Sequence, residues 1–165
     1  MEWVTQRGTP VIIGLISDTH GLVRPGVHTA LAGVEMILHA GDVGGQEILD
    51  ELSLTAPVRA VYGNTDGPGA LGLPAALDLT VGGLRIHVSH GHELGRPKPP
   101  VLAAVYDADV IVYGHTHIQI VSRVGETLVV NPGAAGPRRF DLSPSVARLT
   151  ITGGTAFAEL IPLRG

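Results

Sequence analysis

Five short apolar runs in this sequence each end in a loop that carries Asp, Asn or His side chains. Short apolar runs bounded by such loops are typical of buried strands. In α/β folds, ligands bind at the carboxyl ends of the strands, so we expect the five loops to meet at one place. In chain order they are Asp18-Thr19-His20, Gly41-Asp42-Val43, Gly63-Asn64-Thr65-Asp66, Ser89-His90-Gly91-His92 and Gly114-His115-Thr116-His117.

Each loop by itself has an ordinary explanation. Asp42 could be a helix N-cap, Asn64 could accept a turn with positive φ, and His90 could be a hydrogen-bonded core histidine. The pair His115 and His117 is harder to explain in this way, because two imidazoles at one loop edge are usually metal ligands. Together the loops offer more donors than one ion needs and about the number for two ions that share a carboxylate. The candidate ligands are Asp18, His20, Asp42, Asn64, His90, His115 and His117.

The composition predicts a folded domain without disulfides. The 165 residues predict one domain over 1–165, with 1–10 as a loosely ordered lead-in. Hydrophobic residues make up 44% and charged residues 16% of the chain, which argues against disorder. The chain has 0 Cys, so any metal must be held by oxygen and nitrogen donors.

Charge and hydropathy exclude several classes of partner. The net charge is −4 with no basic run, and aromatic residues are 4% of the chain, so a nucleic-acid partner is disfavoured. No segment approaches the roughly 20 apolar residues that span a membrane. The N-terminal residues lack the pattern of a signal peptide, which predicts a cytoplasmic protein. A homo-oligomer is compatible with all of this.

The chain begins with alternating strands and helices and finishes with antiparallel hairpins. Two sheets packed face to face would bury this content of Val, Ile and Leu. Three helices are predicted: one near 27–32, one that begins at Gly44-Gly45, and one that ends at about Tyr106. A loop without regular structure is predicted over 66–77. The predicted strands are 11–16, 36–39, 58–62, 77–81, 84–89, 110–113, 118–123, 127–131, 146–152 and 156–163.

The ordered motifs D-x-H, G-D-x, G-N-x-D, H-G-H and G-H-T-H resemble those of the calcineurin-like metallophosphoesterases. The match runs from about Val11 to Gly133, and the short length resembles their small bacterial and archaeal phosphodiesterase branch. The resemblance implies an α/β fold, a four-layer αββα sandwich of two facing mixed β-sheets flanked by helices. It also implies two metal ions. Asp18, His20 and His117 would hold the first, Asn64, His90 and His115 the second, and Asp42 would bridge them.

The resemblance further implies hydrolysis of a small phosphate ester by a hydroxide shared between two divalent ions. Mn is expected first, and Fe, Ni or Zn would suit the same donors. A phosphodiesterase is the leading interpretation. A phosphomonoesterase with the same centre is the first alternative, and a non-catalytic scaffold with this fold is the second.

The expected catalytic residues are Asp42 and Asn64 at the metals, with His92 or Asp66 as the proton donor. Many family members carry His directly after the Asn, whereas this chain has Thr65. His92 and Asp66 are therefore the candidates to replace that general acid. His39 is expected to support the ligands rather than bind metal.

Cationic residues beyond these motifs are candidates to contact substrate. Either Arg138 or Arg139 is expected at the rim of the site, beside the substrate phosphate, unless both are solvated surface residues. Arg96 and Lys98, on the proline-bearing loop, are expected to meet one ester arm.

Overall fold

Two five-stranded sheets form the centre of the protein, a computed structural model that describes residues 9–138 and 142–163. Across the first sheet the strands are β10 (Thr155–Pro162), β9 (Ser145–Thr152), β1 (Val11–Ile16), β2 (Met36–His39) and β3 (Val58–Ala60). Across the second they are β4 (Ala76–Val81), β5 (Leu84–Ser89), β6 (Val110–Val112), β8 (Thr127–Asn131) and β7 (Ile120–Val124).

Each sheet has a parallel centre and antiparallel margins. Strands β1, β2 and β3 run parallel in the first sheet, and β5, β6 and β8 in the second. The hairpins β4–β5, β7–β8 and β9–β10 supply the antiparallel pairs. Five of the six parallel strands, all except β8, are followed by the polar loops that the sequence singled out. The mixed sheets therefore bring those loops to the carboxyl ends of the parallel strands.

The apolar run of β1 shows why the sheets pack in layers. Ile13 and Leu15 point into the core between the two sheets, whereas Ile16 points into the cluster under the helices. A strand covered on both faces has no polar side, so its sequence is a continuous apolar run rather than an alternating one.

Three short α-helices among the described residues cover the outer faces of the sandwich. Helices α1 (Pro25–Ala30) and α2 (Gln46–Leu52) pack on the first sheet, where Val27 and Ile48 join its outer cluster. Helix α3 (Pro99–Val105) packs on the second sheet through Leu102. The predicted four-layer αββα sandwich is thus confirmed. None of the helices in the described residues is long and apolar enough to cross a membrane.

Several element boundaries differ from the sequence prediction. Strand β3 ends at Ala60 rather than at Tyr62, because the Tyr62 N–H donates to the Pro74 carbonyl and leaves the ladder. Strand β7 begins at Ile120 rather than at Ile118, whose N–H faces the Thr116 hydroxyl. Strand β4 already begins at Ala76, and a 3₁₀ turn interrupts the preceding loop at Ala70–Gly72.

Candidate metal centre

Four of the five polar loops line one open cleft of about 180 Å³, and the fifth reaches it through His90, whose Nε2 lies 3.2 Å from Asp42 Oδ2. Loops from both sheets contribute, so the cleft lies across the end of the sandwich rather than on one sheet. Its walls carry predicted ligands together with a threonine pair and one arginine. The lining residues are His20, Asp42, Asn64, Thr65, Arg96, His115, Thr116 and His117.

Asp18 is fully buried at the floor of this cluster. Its Oδ2 accepts hydrogen bonds from the Ser17 hydroxyl at 2.6 Å and from the His115 N–H at 3.1 Å. Its Oδ1 has no hydrogen-bond partner and faces His117 Nε2 at 3.3 Å and His20 Nε2 at 3.6 Å. Burial alone would raise the pKa of Asp18, but the neighbouring imidazoles of His117 and His20 outweigh it and hold that pKa below its ordinary value.

Asp42 is fixed by one carboxylate oxygen and offers the other. Its Oδ1 accepts the Thr65 N–H at 2.9 Å. Its Oδ2 lies between two imidazoles, 3.2 Å from His90 Nε2 and 3.6 Å from His20 Nε2. Burial would raise the pKa of Asp42, and the His90 imidazole more than offsets this and lowers it. Asp42 thus contacts one histidine from each of the two ligand sets that the family resemblance implies.

The tautomer of His90 follows from its hydrogen bonding. His90 Nδ1 lies 2.8 Å from the Ala40 carbonyl, which can only accept, so Nδ1 carries the proton. Nε2 is then the nitrogen that faces Asp42, and it is buried without a hydrogen-bond partner. A histidine that donates from one nitrogen to a backbone carbonyl and presents the other is arranged as a metal ligand.

The donor atoms form two groups in which every ligand atom lies within 4.8 Å of the others. The first group is Asp18, His20 and His117, which is the expected first set. The second is Asp18, Asp42 and His90, and the ring of His115 lies 5.2 Å from that of His90. Asn64 lies on the wall of the same cleft.

Unpartnered polar atoms within these groups test whether a metal fits. Asp18 Oδ1, His20 Nε2 and His90 Nε2 are all buried and lack hydrogen-bond partners. Buried polar atoms without partners are rare, and each calls for a ligand or ion that satisfies it. Oxygen and imidazole nitrogen donors suit Mn, Fe, Ni and Zn. The residues present therefore fit divalent metal ions.

A buried histidine ties the first two loops together behind the ligands. His39 Nδ1 accepts the Gly41 N–H at 3.1 Å, and its Nε2 lies 2.9 Å from the Thr19 hydroxyl. Thr19 in turn donates to the Val43 carbonyl at 2.7 Å, so His39 Nε2 must be the donor to Thr19. Burial lowers the pKa of His39 to about 4, which agrees with this neutral form. Both ring nitrogens are used by the protein, as expected for a residue that supports the ligands.

The ligand loops have an unusual backbone. Among the described residues, six non-glycine residues have positive φ, and five of them are candidate ligands. Left-handed conformations cost non-glycine residues roughly 1–2 kcal/mol each, and such strain concentrates at functional sites. The sixth is Leu71, and the five ligands are Asp18, His20, Asp42, His115 and His117.

Two glycines let these loops approach one another. A Cβ at Gly63 would lie 2.1 Å from Asp42 Oδ1, and a Cβ at Gly114 would lie 2.0 Å from the Ser17 hydroxyl. Neither contact is sterically allowed, so any side chain at these positions would displace a carboxylate ligand or its neighbour. The sequence motifs contain both glycines, but only the packing shows why no larger residue fits.

The two candidates for a proton donor occupy different surroundings. Asp66 accepts the N–H groups of Val43, Gly44 and Gly63 at 2.9–3.1 Å, so both of its carboxylate oxygens are engaged. His92 is not among the residues that line the cleft. Its ring lies 5.3 Å from that of His90, and about 30% of its side chain is exposed.

Asn131 and Ser17 are supporting residues whose roles depend on tertiary contacts. The Asn131 amide donates to the Gly114 carbonyl at 3.0 Å and to the Thr116 hydroxyl at 3.1 Å, which holds the loop of His115 and His117. Ser17 holds Asp18 from the preceding position. The motif N-P-G was visible in the sequence, but its partner loop was not.

The four basic residues expected near substrate are placed differently. Arg96 lines the cleft as expected. Lys98 precedes α3 and Arg138 is exposed, and neither is among the described residues that line the cleft. Arg139 lies outside the described residues.

Comparison with known families identifies one that spans most of the chain. Residues 11–154 match the model of the calcineurin-like phosphoesterase superfamily domain. A probable metallophosphoesterase of Methanothermobacter thermautotrophicus is 35% identical over 92% of this chain and 92% of its own length. Phosphodiesterase MJ0936 of Methanocaldococcus jannaschii is 30% identical over 73% of this chain and 82% of its own length.

Solved structures of the same architecture cover nearly the whole chain. Vps29 of Cryptosporidium parvum aligns with a TM-score of 0.78 at 22% identity, over 94% of this chain and 99% of that one. Vps29 of Entamoeba histolytica in complex with Zn²⁺ aligns with a TM-score of 0.73 at 25% identity, over 93% of this chain and 100% of that one.

Proposed function

The chain belongs to the calcineurin-like phosphoesterase superfamily, and from this premise we propose that it is a metal-dependent phosphodiesterase with two divalent ions. The observation that carries the proposal is the group of buried, unpartnered donor atoms on Asp18, His20 and His90. Relatives that bear the names metallophosphoesterase and phosphodiesterase support the reaction class. We also propose that the site forms within one domain, since both sheets supply its loops.

The protein's own residues divide the work of holding ions and substrate. Asp18, His20 and His117 would hold one ion, and Asn64, His90 and His115 the other, with Asp42 between them. Ions held in this way would neutralise charge on the phosphoryl oxygens and lower the pKa of the attacking water. Carboxylate, amide and imidazole donors without thiolate suit Mn, Fe, Ni and Zn alike, and Mn is our first choice because the resemblance to the family implies it.

Asp42 and Asn64 would position the phosphate, because both line the open cleft where substrate can enter. The Thr65 N–H fixes Asp42 Oδ1, so Oδ2 keeps its orientation toward the imidazoles. No protein nucleophile is needed for this reaction, in keeping with 0 Cys in the chain.

His92 is our candidate for the proton donor to the leaving group. Its ring lies 5.3 Å from that of His90 and 6.2 Å from that of His115, so it is close enough to the proposed metal ligands to reach a leaving group. Asp66 was the other candidate, and we assign it to loop tethering because both of its oxygens already accept backbone N–H groups. Proton donation is typically worth about 10²–10⁴ in rate.

The test compares matched phosphate esters of 4-nitrophenol on protein loaded with Mn²⁺. We expect kcat/KM for bis(4-nitrophenyl) phosphate to exceed that for 4-nitrophenyl phosphate by at least tenfold, about 1.4 kcal/mol. The reason is that a diester monoanion can lie across the two ions with its second ester arm in the cleft, a contact that a monoester lacks. His92→Gln should lower kcat for a diester with the poorer leaving group phenol more than for 4-nitrophenol esters. The control is His28→Gln, because His28 lies outside the cleft and its side chain is 31% exposed, much like that of His92.

Two outcomes would contradict the proposal. A monoester preference of tenfold or more would assign a phosphomonoesterase with the same centre. Tight metal binding without turnover of either ester would leave the fold as a binding scaffold.

A further inference from the structure

Two further pockets each share a lining residue with the metal cleft. Thr65 lines both the cleft and one pocket, and His117 lines both the cleft and the other. We call them the Thr65 pocket and the His117 pocket. The Thr65 pocket is lined by Gly44, Gly45, Thr65, Asp66, Ala70 and Leu71, and the His117 pocket by His117, Ile118, Gln119, Leu142 and Ser143.

Among its described lining residues, the Thr65 pocket carries one charged side chain, the carboxylate of Asp66, which is hydrogen-bonded to backbone N–H groups. Its far wall is aliphatic, formed by Ala70 and by Leu71, which is 39% exposed. Asp66 is its one acidic residue, and the three backbone N–H groups that it accepts occupy both carboxylate oxygens. No Lys or Arg of the described residues lines this pocket.

The His117 pocket has the same character. Ile118 is 46% exposed there, and Leu142 adds a second aliphatic side chain. The Gln119 amide is bonded to the Ser143 carbonyl at 3.1 Å. In the part of the chain that the structure describes, no acidic or basic side chain except the imidazole of His117 lines this pocket.

Of these three cavities, the metal cleft is the one whose described lining includes an arginine or lysine. Arg96 is the one arginine or lysine among the described residues lining the metal cleft, and it is exposed. None of the ion pairs between described residues involves it. A guanidinium offers paired N–H donors that match a phosphate, and it stands beside the candidate ligands rather than in either side pocket.

From this distribution we propose that the substrate is a phosphodiester with two small, uncharged arms, one in each side pocket, and its single phosphate between Arg96 and the metal ligands. The inference rests on the proposed phosphodiesterase function. The pockets measure about 250 and 310 Å³. Both volumes are near the lower end of the roughly 300–1,000 Å³ found for pockets of drug-sized ligands, so each arm is a single ring or a short chain. A polyanionic chain would instead need further cations in the side pockets.

The first experiment varies one arm while the leaving group stays the same. The substrates are 4-nitrophenyl phosphates whose second arm is methyl, benzyl or 4-carboxybenzyl. In each, water forms the new bond to phosphorus, and 4-nitrophenolate leaves with the electron pair of the broken P–O bond. We expect kcat/KM to be at least tenfold higher for the benzyl than for the methyl ester, and to fall back toward the methyl value for the carboxybenzyl ester.

The second experiment measures binding without turnover. Dibenzylphosphinate and dimethylphosphinate carry the same anionic centre, and their P–C bonds are not hydrolysed. Isothermal titration calorimetry on the metal-loaded protein should give a Kd at least tenfold lower for dibenzylphosphinate. Arg96→Gln should weaken both phosphinates by a similar factor, because it removes charge at the centre and leaves the arms in place.

Charged residues placed in the pockets supply the matched variants. Leu71→Asp and Ile118→Asp should each reduce the dibenzyl-over-dimethyl preference in phosphinate binding at least fivefold. In turnover only the variant in the pocket that holds the retained arm should reduce the benzyl-over-methyl preference, because 4-nitrophenyl occupies the other pocket in every substrate. Leu54→Asp is the control, since Leu54 is 79% exposed and lines none of the three cavities. Aspartate tolerates the positive φ of position 71 better than leucine does. Metal content and the thermal midpoint verify that each variant is folded.

The outcomes separate this inference from the function beneath it. Hydrolysis of the methyl ester without a benzyl preference, or pocket variants that behave like Leu54→Asp, would overturn the two-arm assignment and leave the phosphodiesterase intact. Failure to hydrolyse every diester with metal bound would overturn the phosphodiesterase itself. A preference for the carboxybenzyl ester would contradict the assignment of uncharged arms.

Discussion

Asp42 shows how one side chain can be tested without disturbing its surroundings. In Asp42→Asn the amide oxygen can still accept the Thr65 N–H, while the Oδ2 that faces His90 is replaced by an uncharged NH₂. We expect metal content below half of the wild-type value and turnover reduced by at least about 10², since removing one group that stabilises the transition state commonly costs 10²–10³ in kcat. Mass spectrometry of bound metal and kcat for a diester check this.

Asp50→Asn is the control for Asp42→Asn, because Asp50 is an exposed carboxylate on α2. It should keep full metal content and turnover. Two metal ions per chain and near-normal turnover in Asp42→Asn would contradict the assignment of Asp42 as the bridging carboxylate.

Gly63 allows a second test at the same scale. The Cβ of alanine at this position would lie 2.1 Å from Asp42 Oδ1 and 2.4 Å from Asp42 N, so the carboxylate must move. We expect Gly63→Ala to lower kcat at least a hundredfold while the chain remains folded by circular dichroism. Gly83→Ala in the β4–β5 turn has φ of +80° and open space around it, so it adds backbone strain away from the site and should keep kcat. Equal activity of the two variants would contradict the packing argument.

The sequence predicted the ligand side chains but not what holds them. Asp18 and His115 were both expected, yet the hydrogen bond between them joins residues 97 positions apart and has no local signal. The same is true of His39, whose partner Thr19 lies 20 positions away. The positive φ of the ligands has only a weak signature in their residue types. Asp and His are enriched at positive φ, but most Asp and His residues have negative φ.

At the scale of elements, Arg148 joins a strand to a helix end. From β9 its guanidinium donates to the carbonyls of Ala30 and Ala32, at 3.0 and 2.9 Å, where α1 ends without intrahelical partners. Hydrogen bonds to charged groups are worth about 1.5–3 kcal/mol, and partial exposure reduces this. We expect Arg148→Met to lower the free energy of unfolding by about 1–2 kcal/mol in urea denaturation.

Arg59→Met on the same sheet is the matched control, since Arg59 is exposed on β3. It should change the free energy of unfolding by less than about 0.5 kcal/mol. Equal stabilities of the two variants would show that Arg148 does not hold α1. Neither residue lies in the cleft, so metal content should be normal in both.

The sequence predicted where strands lie better than where they end. The run Val11–Ile16 is covered on both faces, so its apolar content identifies it as a buried strand wherever it pairs. Strand ends depend on which carbonyl receives each N–H, and the Tyr62 N–H finds Pro74 rather than β2. The sheet order follows from crossovers that residue patterns do not specify.

At the scale of the whole molecule, the metal centre joins the two sheets. Asp18 and His20 follow β1 of the first sheet, whereas His117 follows β6 of the second, and all three ligand atoms lie within 4.8 Å of one another. An ion held by these residues would therefore bind only when the sandwich is assembled. A ligand that binds the native state alone stabilises it by RT ln(1 + [L]/Kd), about 2.7 kcal/mol at a hundredfold excess over Kd.

We accordingly expect Mn²⁺ at a hundredfold excess over its Kd to raise Tm by about 5–10 °C relative to protein treated with a chelator, since a domain of this size gains about 2–4 °C per kcal/mol. Calorimetry of wild type, Asp18→Asn and His28→Gln checks this. His28→Gln changes a surface histidine that contacts Glu51 and Thr55, and it should keep the full Mn²⁺ shift whatever its own Tm. Asp18→Asn should lose most of the shift, because it removes the charge at the floor of both donor groups. An equal Mn²⁺ shift in all three proteins would mean that the ion binds elsewhere, and no shift in wild type would mean that the donor groups bind no ion in the assembled sandwich.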